Sequence, residues 1–426
     1  MAQELHGTRS SDSGMMSKGR DNMSLPSEQP LVSVLTPVYN GEAYLAECIE
    51  SVLAQAYRNF EYTIVNNCSK DRSLEIALSY AKKDSRIRVH NNKEFVGVIE
   101  NHNLAFRLIS PSAKYCKVVS GDDYILPECL AKMVEFAEVN PSVGIVGSYQ
   151  LSGDSVRWQG FKYPQSVLTG MEICRQIFLG NDKNFGFGSP TSLMYRADLV
   201  RSTEAFYPNS SPHADTSACF EHLQNHCFGF VYQVLSFERI HEATQTSESK
   251  KLERYLSAVL SDLLHYGPFY LDKREFKEQR QRLLKIYHRY LAVDYFVGFR
   301  DKEYWDYHKG RLAELGYPLS RLSLFKAAII AILKEVVNPQ QAIRKLRLRL
   351  FPRSSKSTVG AGVPAPAGDR TNGPNDAGIS GLVVSSTRTA TIEHCFQEME
   401  KLSAVERTVS STPTAGVSSS SGGRFG

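Results

Sequence analysis

The chain has 426 residues, 42% hydrophobic and 22% charged, which is the balance of a soluble globular protein with one large or two modest domains. A net charge of only +5 raises no overall field of the kind that marks a nucleic-acid binder, so no nucleic-acid partner is expected. The eight cysteines include no CxxC pair, which argues against a zinc ribbon or redox motif and fits a reducing cytoplasm.

The first 29 residues are polar, lack the apolar core of a secretory signal, and read as disordered. Val32–Leu35 is a short buried strand ending at Thr36-Pro37. Asn40 is placed to cap a helix in which Tyr44, Leu45, Cys48, Ile49, Val52 and Leu53 recur at helical spacing. A second strand, Tyr62–Val65, runs into the polar turn Asn66-Asn67, and a helix with Leu74, Ile76, Ala77 and Tyr80 inward follows. Ile87–Val89 is a third strand, 96–108 a third helix, and Lys117–Val119 a fourth strand that breaks at Ser120-Gly121-Asp122-Asp123. A helix through Leu130, Met133, Val134 and Ala137 and a strand at Val143–Val146 complete the series. This alternation predicts a mostly parallel sheet with helices on both faces, whose ligands bind outside the carboxyl ends of the strands. Strands near Thr191–Tyr195 and Phe230–Phe237 follow, then an aromatic-rich helical stretch to about residue 350. A tail rich in Ser, Thr, Gly, Ala and Pro reads as disordered, with one short helix at Ile392–Leu402.

Two polar turns fall at strand ends, so their chemistry weighs most. Asp122-Asp123 brings two mutually repelling carboxylates together, which suits a hard divalent cation completed by substrate phosphates. The competing reading is an Asp-Asp turn ahead of Pro127, and the two stand about even. Asn66-Asn67 can read a nucleobase edge or simply turn the chain. Asp215, near the start of a helix, can take a proton from an attacking hydroxyl or merely offset the helix dipole. Arg239 can neutralise a diphosphate, and His241 can add a metal ligand, or both can be surface residues of a strand end.

Taken in order, these segments resemble glycosyltransferase family 2 across roughly residues 31–245. Val32–Asn40 is similar to that family's first strand and donor turn, and Ile49–Gln55 to the helix after it. Ile64–Asp71 stands where the family carries an acidic pair, here Asn66-Asn67. Val96-Gly97 and Asn101–Ala105 match its third helix, and Val119–Pro127 its metal-binding segment, with Ser120 in place of the first carboxylate. His213-Ala214-Asp215 stands at its acidic dipeptide, Phe237–His241 at its closing aromatic-x-Arg-x-His element, and Gly188–Ser192 at acceptor-side residues.

The resemblance implies a GT-A fold, an α/β domain with a mostly parallel sheet, over residues 30–245. A helical region at 246–353 and a tail at 354–426 would follow. It implies an inverting transferase that moves a sugar from a nucleotide-sugar donor, UDP-sugar favoured, to a glycan or lipid-linked hydroxyl. Asp215 would be the base. Thr36, Pro37, Tyr39, Asn67, Asp122 and Arg239 would bind donor, and Asp122, Asp123 and His241 would hold Mg²⁺ or Mn²⁺. A nucleotidyltransferase is disfavoured because Thr36–Asn40 is no glycine- and lysine-rich phosphate loop. A non-catalytic nucleotide-sugar binder stays open on the Asn66, Asn67 and Ser120 departures.

No stretch reaches the roughly 20 apolar residues that span a bilayer. The segment 324–353, apolar and then rich in arginine, reads about evenly as a peripheral contact with anionic membrane or as a helix packed on the catalytic domain. The expected location is cytoplasmic, and the first of these readings would place the protein at the inner face of the membrane.

Overall fold

The computed structural model describes residues 29–180, 186–208, 211, 213–240, 252, 254–297 and 300–337. The polar N-terminal segment, His241, the basic run 344–353 and the Ser/Thr-rich tail lie outside the described residues.

Ten strands form one sheet. The parallel half comprises β1 (Val32–Val38), β2 (Phe60–Asn66), β3 (Ile87–Asn91) and β4 (Tyr115–Val118), in the order β3-β2-β1-β4. β1 is buried along its whole length, as expected of a central strand whose apolar run serves both faces. Beyond β4 the sheet is mixed. β9 (Leu193–Arg196) runs antiparallel between β4 and β6 (Val143–Ser152), and β10 (Cys227–Glu238) then runs parallel to β6. β5 (Tyr124–Ile125) and β8 (Val167–Thr169) pair antiparallel to β10, and β7 (Ser155–Arg157) to β6.

Helices cover both faces. On one face α1 (Leu45–Leu53), α2 (Ser73–Ala81) and α4 (Cys129–Val139) close a core around Val32, Val34, Tyr62 and Ile64. On the other, α3 (Val98–Arg107), α5 (Gly170–Leu179), α6 (Ala197–Arg201) and α7 (Ala214–His222) pack on Leu35, Val65, Cys116 and Val118. α5 shows the local logic clearly. Thr169 accepts from Glu172 N at 3.2 Å, Glu172 accepts from Thr169 N at 2.8 Å, and Gly180, at φ +61°, ends the helix in a left-handed turn. α8 (Tyr255–Tyr270) links this body to a third core shared with α9 (Lys273–Val297), α10 (Lys302–Glu314) and α11 (Arg321–Val337).

Asn40 does not cap α1, whose N-cap is Tyr44. It adopts φ +49°, a left-handed conformation that asparagine tolerates, and its side chain accepts from Lys70 N at 2.8 Å. The turn after β1 is thereby fastened to the turn after β2. The seven described cysteines are all free thiols.

Candidate active site

The site forms where β1, β2 and β4 end. The turn after β4 rests directly on the end of β1: a Cβ at Gly121 would stand 3.1 Å from Val38 Cγ2, so glycine permits the close approach. Thr191, in a single 3₁₀ turn at Pro190–Ser192, fixes the same turn from the other side. Its hydroxyl accepts from Ser120 N at 3.1 Å and donates to Asp123 Oδ2 at 2.6 Å.

β-Pairing register brings Arg239 to this turn. Phe237 pairs with Tyr124 and Ser236 with Ile125, and the Tyr124 and Phe237 rings stack at 4.7 Å. Two residues further along, Arg239 N donates to Asp123 Oδ1 at 3.0 Å and Nε to the Asp122 carbonyl at 3.1 Å. The guanidinium also lies over the Tyr44 ring at 4.5 Å and pairs with Glu47 at 2.5 Å, which ties the turn to α1.

The two aspartates therefore differ. Asp123 is buried, and each of its oxygens already accepts a hydrogen bond. Burial, followed by the charge of Asp122, pushes its carboxyl up to about 7. Asp122 keeps partial exposure at the rim of the turn. Among the described residues no three His, Cys, Asp or Glu side chains form a ready-made metal cage. Mg²⁺ and Mn²⁺ often take only one or two protein carboxylates and complete their shell with substrate phosphates. Asp122, backed by the strained charge of Asp123, has the chemistry for such a site, and a cation there would offset the repulsion between the pair.

Of the residues expected to bind donor, Tyr39 is 41% exposed at the rim and packs on Phe95 at 4.9 Å. Thr36 and Pro37, expected on the wall of the site, are buried. The Thr36 hydroxyl donates to Val119 O at 2.9 Å and meets Tyr62 Oη at 2.8 Å, so it braces β1 against β4 from beneath. Asn67 is likewise buried, with three hydrogen bonds on its amide. Its Oδ1 accepts from Asn92 Nδ2 and Val96 N, both at 3.0 Å, and its Nδ2 donates to Val96 O at 2.8 Å. Its amide positions the 92–96 loop. Thr191 and Ser192, expected on the acceptor side, are wholly buried: Thr191 supports the acidic turn, and the Ser192 hydroxyl bonds the backbone of Ser189.

Asp215 lies in the first turn of α7, partly exposed. The charges of Asp215 and Asp122 both act on His102 of α3. Asn101 of α3 accepts from Asn92, and Asn103 grips the backbone of Tyr207 with two 2.9 Å bonds. Between them His102 stacks on Tyr207 at 5.6 Å and shares a 2.9 Å hydrogen bond with Val98 O. Burial lowers the affinity of His102 for a proton, while the charges of both Asp215 and Asp122 act to raise it. The sequence reading gave no role to His102 or Lys117, and gave Thr191 a place on the acceptor side only. Lys117 lies within an apolar strand, wholly buried, with Nζ on the carbonyls of Thr191 at 2.5 Å and Leu193 at 3.0 Å. A lysine in such a strand was the available signal for a buried polar support.

Known proteins agree with this architecture. Residues 33–202 match the family described as Glycosyl transferase family 2. The chain is 25% identical over 300 residues to an uncharacterized glycosyltransferase of Haemophilus influenzae, covering 63% of this chain and 88% of that protein. It is 35% identical over 194 residues to the uncharacterized glycosyltransferase EpsJ of Bacillus subtilis, covering 43% and 54%. Its fold is similar to S. aureus TarS 1–349, solved in complex with UDP-GlcNAc, with a TM-score of 0.50 at 18% identity over 70% of this chain and 86% of that one. The class defined by fold and site is a GT-A glycosyltransferase, an enzyme. Residues 33–202 carry the glycosyltransferase family 2 domain.

Proposed function

We propose that the chain transfers a sugar from a nucleotide-sugar donor, UDP-sugar favoured, to a hydroxyl of a glycan or lipid-linked acceptor, with inversion at the anomeric carbon. The observation that carries this reading is Arg239 bonded to both aspartates of the acidic turn, where that turn packs on Val38 at the end of β1 next to the exposed Tyr39, with the charges of Asp122 and Asp215 both acting on His102. The bound UDP-GlcNAc of TarS supports a nucleotide-sugar donor here. A catalytic unit at 30–245 followed by a helical region at 246–353 is supported by the separate core that α8 to α11 share.

The reaction is a single displacement. The acceptor oxygen forms a bond to the anomeric carbon as the bond from that carbon to the diphosphate breaks, and the bonding pair leaves with the diphosphate. Asp215 takes the acceptor proton. Arg239 places a positive charge at the turn where the leaving group gathers negative charge, and Tyr39 offers a face to the nucleoside. Mg²⁺ or Mn²⁺ held at Asp122 would supply Lewis-acid stabilisation of the diphosphate.

The test is a thermal-shift screen of UDP-, GDP- and dTDP-sugars with and without Mn²⁺, followed by NMR of the sugar released from the best donor. An α-linked donor should yield the β-sugar first. Initial release of the α-sugar would overturn inversion, and absence of both stabilisation and release for every donor would overturn the reading itself.

A further inference from the structure

α11 turns an apolar row outward. Leu324 and Ala328 are buried in the third core, so one side of the helix is anchored to the folded body. On the other side Leu322, Phe325, Ile329 and Ile330 are 62%, 55%, 41% and 53% exposed. Spacings of three and four residues put them along one face, and Lys326 is exposed there with them. Scattered exposed hydrophobic residues need no explanation, but a continuous row beside polar groups marks a contact surface.

Charge identifies what it contacts. Residues 321–353 contain eight Lys and Arg against one acid, Glu335, a surplus of +7 in a chain whose total is +5. The positive balance of the whole protein is therefore concentrated on this helix and the sequence directly after it. A second copy of the chain would bring the same surplus against itself, and like-charge juxtaposition opposes such pairing. Nucleic acid would leave the apolar row unsatisfied. Among the described residues no helix is long and apolar enough to cross a membrane. An apolar face joined to a cationic segment suits the plane of a bilayer interface, where acyl chains take the row and anionic headgroups take the charges.

We propose that α11, with the basic sequence that follows it, docks this protein on an anionic membrane surface. The proposal goes beyond the transferase reading and does not depend on it. Its test uses the full chain and sucrose-loaded vesicles of phosphatidylcholine alone or mixed with phosphatidylserine. The wild type should sediment with the mixed vesicles and be released by high salt. Phe325→Ser/Ile329→Ser/Ile330→Ser leaves Leu324 and Ala328 in place, and Arg344→Gln/Lys345→Gln/Arg347→Gln/Arg349→Gln removes charge alone. Each should weaken partitioning at least ~10-fold with an unchanged thermal midpoint. Equal sedimentation with both vesicle types would overturn the proposal, as would unchanged partitioning of either variant. Wild-type dimers by light scattering that the serine variant loses would instead assign the face to a second copy and also overturn it.

Discussion

Thr191 donates its hydroxyl to Asp123 Oδ2 across 2.6 Å, and through that bond a buried 3₁₀ turn sets the position of the acidic turn. The same oxygen accepts from Ser120 N, and the Thr191 carbonyl is held by the buried amine of Lys117. Thr191→Val keeps the shape but leaves Ser120 N and Asp123 without this partner. Each buried group so orphaned costs about 1–3 kcal/mol. The expected outcome is a lower thermal midpoint and a raised Mn²⁺ requirement for donor turnover, both recovered by Thr191→Ser. A valine variant equal to wild type in both would show that the hydroxyl is not needed to hold the turn.

Asn67 yields a prediction that runs against the resemblance. The family carries acid at this position, yet here the amide donates to Val96 O. Asn67→Asp would set a carboxylate oxygen against that carbonyl. Stability should fall by about 1–3 kcal/mol at neutral pH, read by urea denaturation. A variant at least as stable as wild type would mean that the 92–96 loop does not rely on the amide.

The parallel half of the fold was legible because its signals are local. β1, β2 and β4 are apolar runs ending in polar turns, and the helices between them repeat apolar residues at helical spacing. β9 entering antiparallel between β4 and β6 was not legible, since register across distant strands leaves no local mark. The acidic turn was found by position alone. Which of its carboxylates is buried depended on Thr191 and on Arg239 N, residues 68 and 116 positions away, and sequence does not reveal such partners. Thr36 within β1 and Asn67 just after β2 both turn inward, and the alternation of a strand does not say which polar side chain is buried at the carboxyl edge of a sheet.

Asp262 predicts a pH dependence of stability. Burial pushes its carboxyl up to about 7, against the lowering effect of the Ser217 hydroxyl that bonds it at 2.6 Å. The folded protein therefore keeps a proton that the unfolded chain releases near the ordinary value of 3.8. Between those limits the folded state binds more protons, so this group's contribution to stability falls as pH rises from about 4 to about 7. His222 and His308, lowered to about 4 by burial, act in the opposite direction over much of that range. The difference between wild type and Asp262→Asn isolates the carboxyl. The variant should gain stability relative to wild type as pH rises through the window. A pH-independent difference would show that Asp262 does not titrate there.

Asp122→Asn should separate metal chemistry from folding. The side chain lies at the rim of the turn, while the bonds that shape the turn run through Asp123, Ser120 and the Asp122 carbonyl. Turnover should fall by roughly 10²-fold or more, the scale of losing several kcal/mol of Lewis-acid stabilisation, with the thermal midpoint unchanged. EDTA should reduce the wild type to a similar level. Wild-type turnover that survives EDTA would remove the cation from the reaction.

Asp215→Asn tests the base. The variant keeps the shape and the hydrogen-bonding capacity of the side chain at the start of α7 but cannot accept a proton. Donor-induced thermal stabilisation should persist, because Tyr39, Asp122 and Arg239 are untouched. Transfer to acceptor should drop by about 10²–10⁴-fold, the range for loss of a general base. Asp262 is the nearby rival, since the charge of Asp215 reaches it, but it is buried against Ser217 and cannot meet an acceptor without a change in structure. Asp262→Asn should therefore retain transfer at a pH where both proteins are folded. If Asp215→Asn transfers normally while Asp262→Asn does not, the proton goes to α8, and Asp215 serves only to begin α7.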